Sequence, residues 1–240
     1  MQIIQFVTED LQIKHPSSLR VPFFLFILLL SACSKPNKAS EDSSEEEVGV
    51  VEQTAEDKQK IILFFGNSIT AGYQLNIDQA FPALLQQKID SLELGYRCIN
   101  AGLSGETSAG GDSRINWVLQ TVPDIFFLEL GANDGLRGLS LEETPQNLQS
   151  IIDQVTQVNP DVKVVIAGMM VPPNLGEDYS KEFAQIFPKL ASKNEATLIP
   201  FILEGVAGNP ELNLEDGIHP TPEGHEIVAG TVWKYLKPLL

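Results

Sequence analysis

Residues 61–240 predict an α/β fold, a three-layer, doubly wound parallel sheet with helices on both faces. Two regularities carry that expectation. Five short runs, Ile61–Phe65, Arg97–Asn100, Ile125–Leu130, Val162–Ala167 and Thr197–Ile202, are rich in Ile, Val and Phe without a polar face, as strands covered on both sides are. Between them Ala80–Leu92, Gly111–Gln120, Pro145–Val158 and Tyr179–Lys193 place apolar residues at helical spacing. Strands and helices that alternate in this way imply parallel pairing through right-handed crossovers, and the flavodoxin-like order 2-1-3-4-5 is expected.

A last helix is expected to begin near His219 and run to Lys237, with Thr221 as cap, Pro222 at the first helical position and Glu223 in the first turn. Ligands of such sheets bind beyond the carboxyl ends of the strands, where the strand order reverses. Ser68 follows the first strand, Gly105 the second and Asn133 the third, so all three belong to that rim. With strands one and three adjacent, Ser68 and Asn133 face each other across the crevice.

The chain ahead of the domain has a different character. Val21–Leu30 is an apolar core too short to cross a bilayer comfortably as a helix, and residues 1–32 read as a signal peptide. The core ends in Leu30-Ser31-Ala32-Cys33, which resembles the bacterial lipobox, so Cys33 is the expected lipidation site and first mature residue. From residue 34 to 60 the chain is rich in Ser, Glu and Lys, with the self-repelling run Glu41–Glu47; residues 33–60 are therefore expected to be a lipidated Cys followed by a disordered acidic tether. The domain carries 22 acidic and 10 basic side chains, which argues against nucleic acid as a partner and against charge-driven binding to anionic lipid. Cys98, the only other cysteine, lies in an apolar run and is expected to be a small core residue.

Two segments suggest chemistry. In Asp216-Gly-Ile-His219-Pro220 the carboxylate can orient and charge-balance the imidazole, and Pro220 disfavours a helical conformation for His219, keeping the ring in a loop. In Phe65-Gly-Asn-Ser68-Ile-Thr70 a hydroxyl stands at the end of an apolar strand, where an imidazole could deprotonate it; a Ser there can equally cap the following helix. His15 falls in the signal segment, and His225 falls inside the last helix, where an exposed ring is expected. Glu129 interrupts the apolar run Phe126–Leu130. A buried carboxylate must be hydrogen-bonded or neutral, and its expected role is structural support of the 131–137 loop.

With Ser104-Gly105-Glu-Thr-Ser108 and Gly131-Ala-Asn133-Asp-Gly-Leu-Arg137, these segments form four blocks that resemble those of the SGNH (GDSL-type) hydrolases, most closely the bacterial thioesterase I / protease I / lysophospholipase L1 group. The likeness extends through Phe81–Leu85 and Tyr179–Ala191 and covers essentially all of 61–240. It implies Ser68 as nucleophile, His219 as base and Asp216 as its orienting carboxylate, with an oxyanion hole formed by Ser68, Gly105 and the Asn133 side chain. It implies no metal and no cofactor. One position departs from the pattern: the family usually has Asp immediately before the nucleophile, and here it is Asn67.

The implied activity is hydrolysis of acyl esters of the lysophospholipid, arylester or thioester type through an acyl-enzyme. A carbohydrate O-acetylesterase on the same fold and a non-catalytic envelope binding protein are the alternatives. The expected partners are a small acyl-ester or lysophospholipid substrate and a membrane reached through the lipid anchor, with no protein partner evident. The expected location is the envelope of a Gram-negative bacterium, periplasmic or outer membrane.

Overall fold

The computed structural model describes residues 59–240; the expected signal peptide, Cys33 and the tether as far as residue 58 lie outside the described residues. Five parallel strands, β1 (Lys60–Gly66), β2 (Tyr96–Gly102), β3 (Ile125–Glu129), β4 (Lys163–Ala167) and β5 (Thr197–Ile199), form one sheet in the order β2-β1-β3-β4-β5. The helices are α1 (Ser68–Ala71), α2 (Phe81–Ser91), α3 (Ser108–Val118), α4 (Ala132–Leu136), α5 (Glu143–Val158), α6 (Glu177–Lys193) and α7 (Pro222–Leu236). α2 packs with α7, α3 with α5, and α5 with α6. This is the α/β class and strand order that the sequence predicts.

The central strands show why both faces had to be apolar. Phe64 pairs in register with Phe127, their ring centroids are 5.1 Å apart, and Phe81 of α2 meets Phe64 edge-on at 5.5 Å. Phe65 points the other way with Phe126, at 5.9 Å, toward the face that α3 covers, where Leu130, Phe65 and Ile151 close over Gly111. All five rings are fully buried, and each stabilises the fold by about 2 kcal/mol through the apolar area it removes from water. α5 presents Leu148, Ile151, Ile152 and Val155 to the core, and α6 presents Phe183, Ile186, Phe187 and Leu190, the i, i+3, i+4, i+7 stripe of a helix packed on one side.

Element ends differ from expectation where polar side chains decide them. α3 starts earlier, at Ser108 rather than Gly111, because the Thr107 hydroxyl accepts the Gly110 amide. The last strand stops at Ile199 rather than Ile202, since the chain turns away through residues 201–208. α7 begins at Pro222 with Thr221 accepting the Gly224 amide at 3.2 Å, as expected. Cys98 is half-buried against the core, and burial, then the Asp90 charge, push its thiol up to about 12, so it is unreactive at neutral pH.

His225 corrects the sequence reading, for it is buried rather than exposed, at 1%. Its Nδ1 accepts the Phe81 amide at 3.1 Å and its ring stacks over Phe81. Ala80, which precedes α2, has no capping side chain, so α7 provides the acceptor that the first turn of α2 lacks. Burial, then the nearby His219, lower the His225 pKa to about 4. An unfolded His titrates near 6.5, so the unfolded chain binds the extra proton first, and the contribution present above pH 6.5 is lost as the pH falls through 4. His225→Asn keeps an acceptor without titrating. In urea unfolding at pH 7 and pH 4.5, the wild type is expected to lose on the order of 2 kcal/mol more than this variant, and equal losses would place the acid sensitivity elsewhere.

Candidate active site

β1 ends at Gly66, which pairs with Gly102 of β2 on one side and Glu129 of β3 on the other, so three strands terminate level at one edge. Position 66 has no room for a side chain: a Cβ would lie 2.1 Å from Thr70 Oγ1 and 2.6 Å from Glu129 Oε2. The chain then turns directly into α1. Asn67 is the cap, its Oδ1 accepting the Ile69 amide at 3.0 Å, and Ser68 is the first helical residue. Capping is therefore done by the neighbour, and the Ser68 hydroxyl is free for another partner.

That partner comes from 151 residues away. His219 Nε2 lies 2.8 Å from Ser68 Oγ, and His219 Nδ1 lies 2.6 Å from Asp216 Oδ2. Asn67 Oδ1 is a second acceptor for the hydroxyl, at 3.4 Å; the single hydroxyl proton goes to the closer, better acceptor. Burial raises the Asp216 pKa, but hydrogen bonds from the His219 amide, the His219 ring and the Ile218 amide, with the His219 charge, outweigh it and hold the carboxyl at about 2. An ionised Asp216 can only accept, so Nδ1 carries the ring proton and Nε2 is left to take one from Ser68. Tyr73, half-exposed, packs against the imidazole with ring centroids 4.4 Å apart and the planes tilted by 40°; nothing in its sequence context marks it.

The loop bearing His219 is closed on itself. The Asp216 Oδ1 atom accepts the Ile218 and His219 amides at 2.9 and 3.0 Å, the Leu214 amide donates to the His219 carbonyl at 2.7 Å, and Asn213 bridges to Pro220. Asn213 Nδ2 donates to the Val206 and Asn209 carbonyls, tying this loop to the preceding turns. The imidazole is thus held by backbone and not merely by its carboxylate.

The 104–108 and 131–137 loops are tied to each other. Among the described residues the amides of Ser68 and Gly105 donate to no protein acceptor, and Gly105 is in the left-handed region at φ 81°. Asn133 Nδ2 gives one hydrogen to the Glu106 carbonyl at 3.0 Å and keeps its second available. Arg137 Nη2 donates to the Gly105 carbonyl at 2.8 Å. Beneath them Asp134 accepts from the Ser108 amide at 2.9 Å, the Ser108 hydroxyl at 2.5 Å and the Thr144 hydroxyl at 3.3 Å, which locks the 105–108 loop to the 131–137 loop. The sequence reading assigns no role to Asp134; its place in the block that follows β3 does not reveal which loop it holds.

Glu129 departs from its expected role. None of its hydrogen bonds reaches the 131–137 loop. Its oxygens instead receive the Asn67 amide, the Asn67 side chain, the Thr70 amide and the Thr70 hydroxyl, all from the turn that carries Ser68.

A hydroxyl, an imidazole and a carboxylate linked in series can add the hydroxyl to an acyl carbonyl, and amide donors without a protein acceptor can stabilise the resulting oxyanion. This is the equipment of an acyl hydrolase. The chain belongs to the GDSL-like lipase/acylhydrolase family, whose model matches residues 64–227, and it is an ester hydrolase of that family. It is 38% identical over 180 residues to esterase TesA of Pseudomonas aeruginosa, covering 75% of this chain and 89% of that protein. It is 36% identical over 180 residues to thioesterase 1/protease 1/lysophospholipase L1 of Escherichia coli K12, covering 75% and 84%. The crystal structure of the psychrotrophic esterase EstA from Pseudoalteromonas sp., inhibited by monoethylphosphonate, matches with a TM-score of 0.71 at 30% identity, over 75% of this chain and 97% of that one.

Removing Asp134 would leave two buried donors of Ser108 without an acceptor. Asp134→Ala is therefore expected to cost about 2–4 kcal/mol in urea unfolding and to lower ester hydrolysis by loosening both loops. A loss below about 0.5 kcal/mol, the size of an ordinary surface change, would mean that the loops hold without it.

Proposed function

We propose that the protein is a metal-independent serine esterase that works through an acyl-enzyme. The reading rests on the hydrogen-bonded series Ser68–His219–Asp216, with separations of 2.8 and 2.6 Å. Ser68 Oγ attacks the ester carbonyl carbon while its proton moves to His219 Nε2, and Asp216 stabilises the imidazolium that forms. The amides of Ser68 and Gly105 and the second Asn133 Nδ2 hydrogen receive the carbonyl oxygen as it becomes negative. His219 then protonates the departing alcohol or thiol. Water takes the place of the leaving group and adds to the acyl carbon as His219 removes its proton, and His219 returns that proton to Ser68 Oγ as the acyl C–O bond breaks and the acid departs. No step calls for a metal or a cofactor.

The surface around Ser68 favours an apolar acyl or aryl ester over a carbohydrate acetate. Tyr73, Ile77, Leu103, Leu136, Leu139 and Leu175 expose apolar side chains on the loops that follow β1, β2, β3 and β4, the rim to which Ser68 belongs. The names esterase and lysophospholipase carried by the relatives agree with that preference. Fluorophosphonate is expected to label wild-type protein at Ser68 and to leave Ser68→Ala unlabelled, folded and inactive; hydrolysis by that variant would remove the mechanism. In a p-nitrophenyl ester series, kcat/KM is expected to rise from acetate to medium-chain esters. A maximum at acetate would favour the O-acetylesterase alternative.

The same proposal places the enzyme in a bacterial envelope, anchored by lipid on Cys33, because an apolar core, small residues and Cys stand in lipobox order ahead of the acidic segment. Cys33→Ala is expected to abolish partition into detergent while leaving the kinetics of the purified domain unchanged. Wild-type protein found soluble, with a mature N-terminus other than Cys33, would overturn the anchor.

A further inference from the structure

Glu129 is a carboxylate beside the nucleophile that the acyl-transfer steps do not use. It is fully buried at the end of β3. Oε2 receives the Asn67 amide at 3.1 Å, the Thr70 amide at 3.2 Å and the Thr70 hydroxyl at 2.8 Å, while Oε1 receives Asn67 Nδ2 at 2.7 Å. Asn67 is equally committed: its Oδ1 accepts the Ile69 amide on the other side, so the side-chain amide is held oxygen toward the turn and nitrogen toward Glu129. Among the described residues no cation pairs with Glu129. Burial pushes its pKa up to about 7, against the pull of the Asn67 and Thr70 hydrogen bonds.

The contact between Glu129 Oε1 and Asn67 Nδ2 needs one donor and one acceptor. We propose that Asn67 and Glu129 act as a positioning pair that orients Ser68 for attack, and that the contact between them requires one donor and one acceptor, whichever residue carries which. This rests on the esterase reading of Ser68.

The requirement follows from counting donors. In Glu129→Gln the amide oxygen must face the three donors at the Oε2 position, which turns the new NH2 toward Asn67 Nδ2. Asn67 can answer only by flipping, and the flip sets its own NH2 against the Ile69 amide, undoing the cap beside Ser68. In the exchanged pair Asn67→Asp with Glu129→Gln, one oxygen of the carboxylate now at position 67 accepts from the amide now at position 129, and the other keeps the Ile69 amide. Total charge is unchanged and every donor is again satisfied.

The experiment compares kcat and KM for a p-nitrophenyl ester, and melting temperature, in wild type, Glu129→Gln and the double variant Asn67→Asp/Glu129→Gln. Glu129→Gln is expected to lower kcat about a hundredfold with KM little changed, the size of effect that a misplaced reacting group produces, and to lower the melting temperature. The double variant is expected to recover most of both losses. A kcat for Glu129→Gln close to wild type, or a double variant no better than the single in rate and in melting, overturns the proposal. If Glu129→Gln alone does not fold, a folded and active double variant supports the pair, and an unfolded one sinks it. A wild type that hydrolyses no ester would instead remove the esterase reading, and the melting temperatures of the same proteins would still decide the pairing.

Discussion

A carboxylate taken wholly out of water has to find donors for its oxygens, and Glu129, at the end of the central strand β3, finds all of its own in residues 67–70. That demand shapes the turn after β1. Gly66 is required because any side chain there would occupy the space of Thr70 and the carboxylate. Thr70 is pinned by its amide and its hydroxyl, and its own carbonyl is taken by Asn100 of β2 at 2.8 Å. Ser68 therefore stands on a short helix whose first turn is held from two neighbouring strands.

Three of the carboxylates near the site, Glu129, Asp134 and Asp216, meet three different conditions. Glu129 is buried and answers only to neutral donors, so burial prevails and its pKa rises. Asp134 is buried too, but joins two loops through Ser108 and Thr144. Asp216 sits at the surface, where two amides and the imidazole hold it ionised. The difference follows from these environments, since only a carboxylate that stays charged can keep the His219 proton on Nδ1 and leave Nε2 free to accept from Ser68.

A groove of about 590 Å³ between α5 and α6, lined by Leu141, Gln149, Ile186 and Leu190 among others, contains none of these groups. The Ser68–His219–Asp216 series lies instead at the edge where β1, β2 and β3 end level.

Strands, helices, their alternation and the blocks that match the family were legible along the chain, because each depends on near neighbours: apolar periodicity, Thr221 ahead of Pro222, Pro220 holding His219 in a loop, and blocks in a family's order. Glu129 and His225 show where such reading stops. Glu129 is recognisable as a polar residue in an apolar run and His225 as a residue inside a helix, yet their chain neighbours point Glu129 to the adjacent loop and His225 to solvent. The actual partners, Asn67 and Thr70 for one and the Phe81 amide for the other, are 59 to 144 residues away. Those pairings arise from packing, since β1 lies against β3 and α7 against α2 through burial of apolar faces, and that packing brings together polar groups whose positions along the chain do not encode one another.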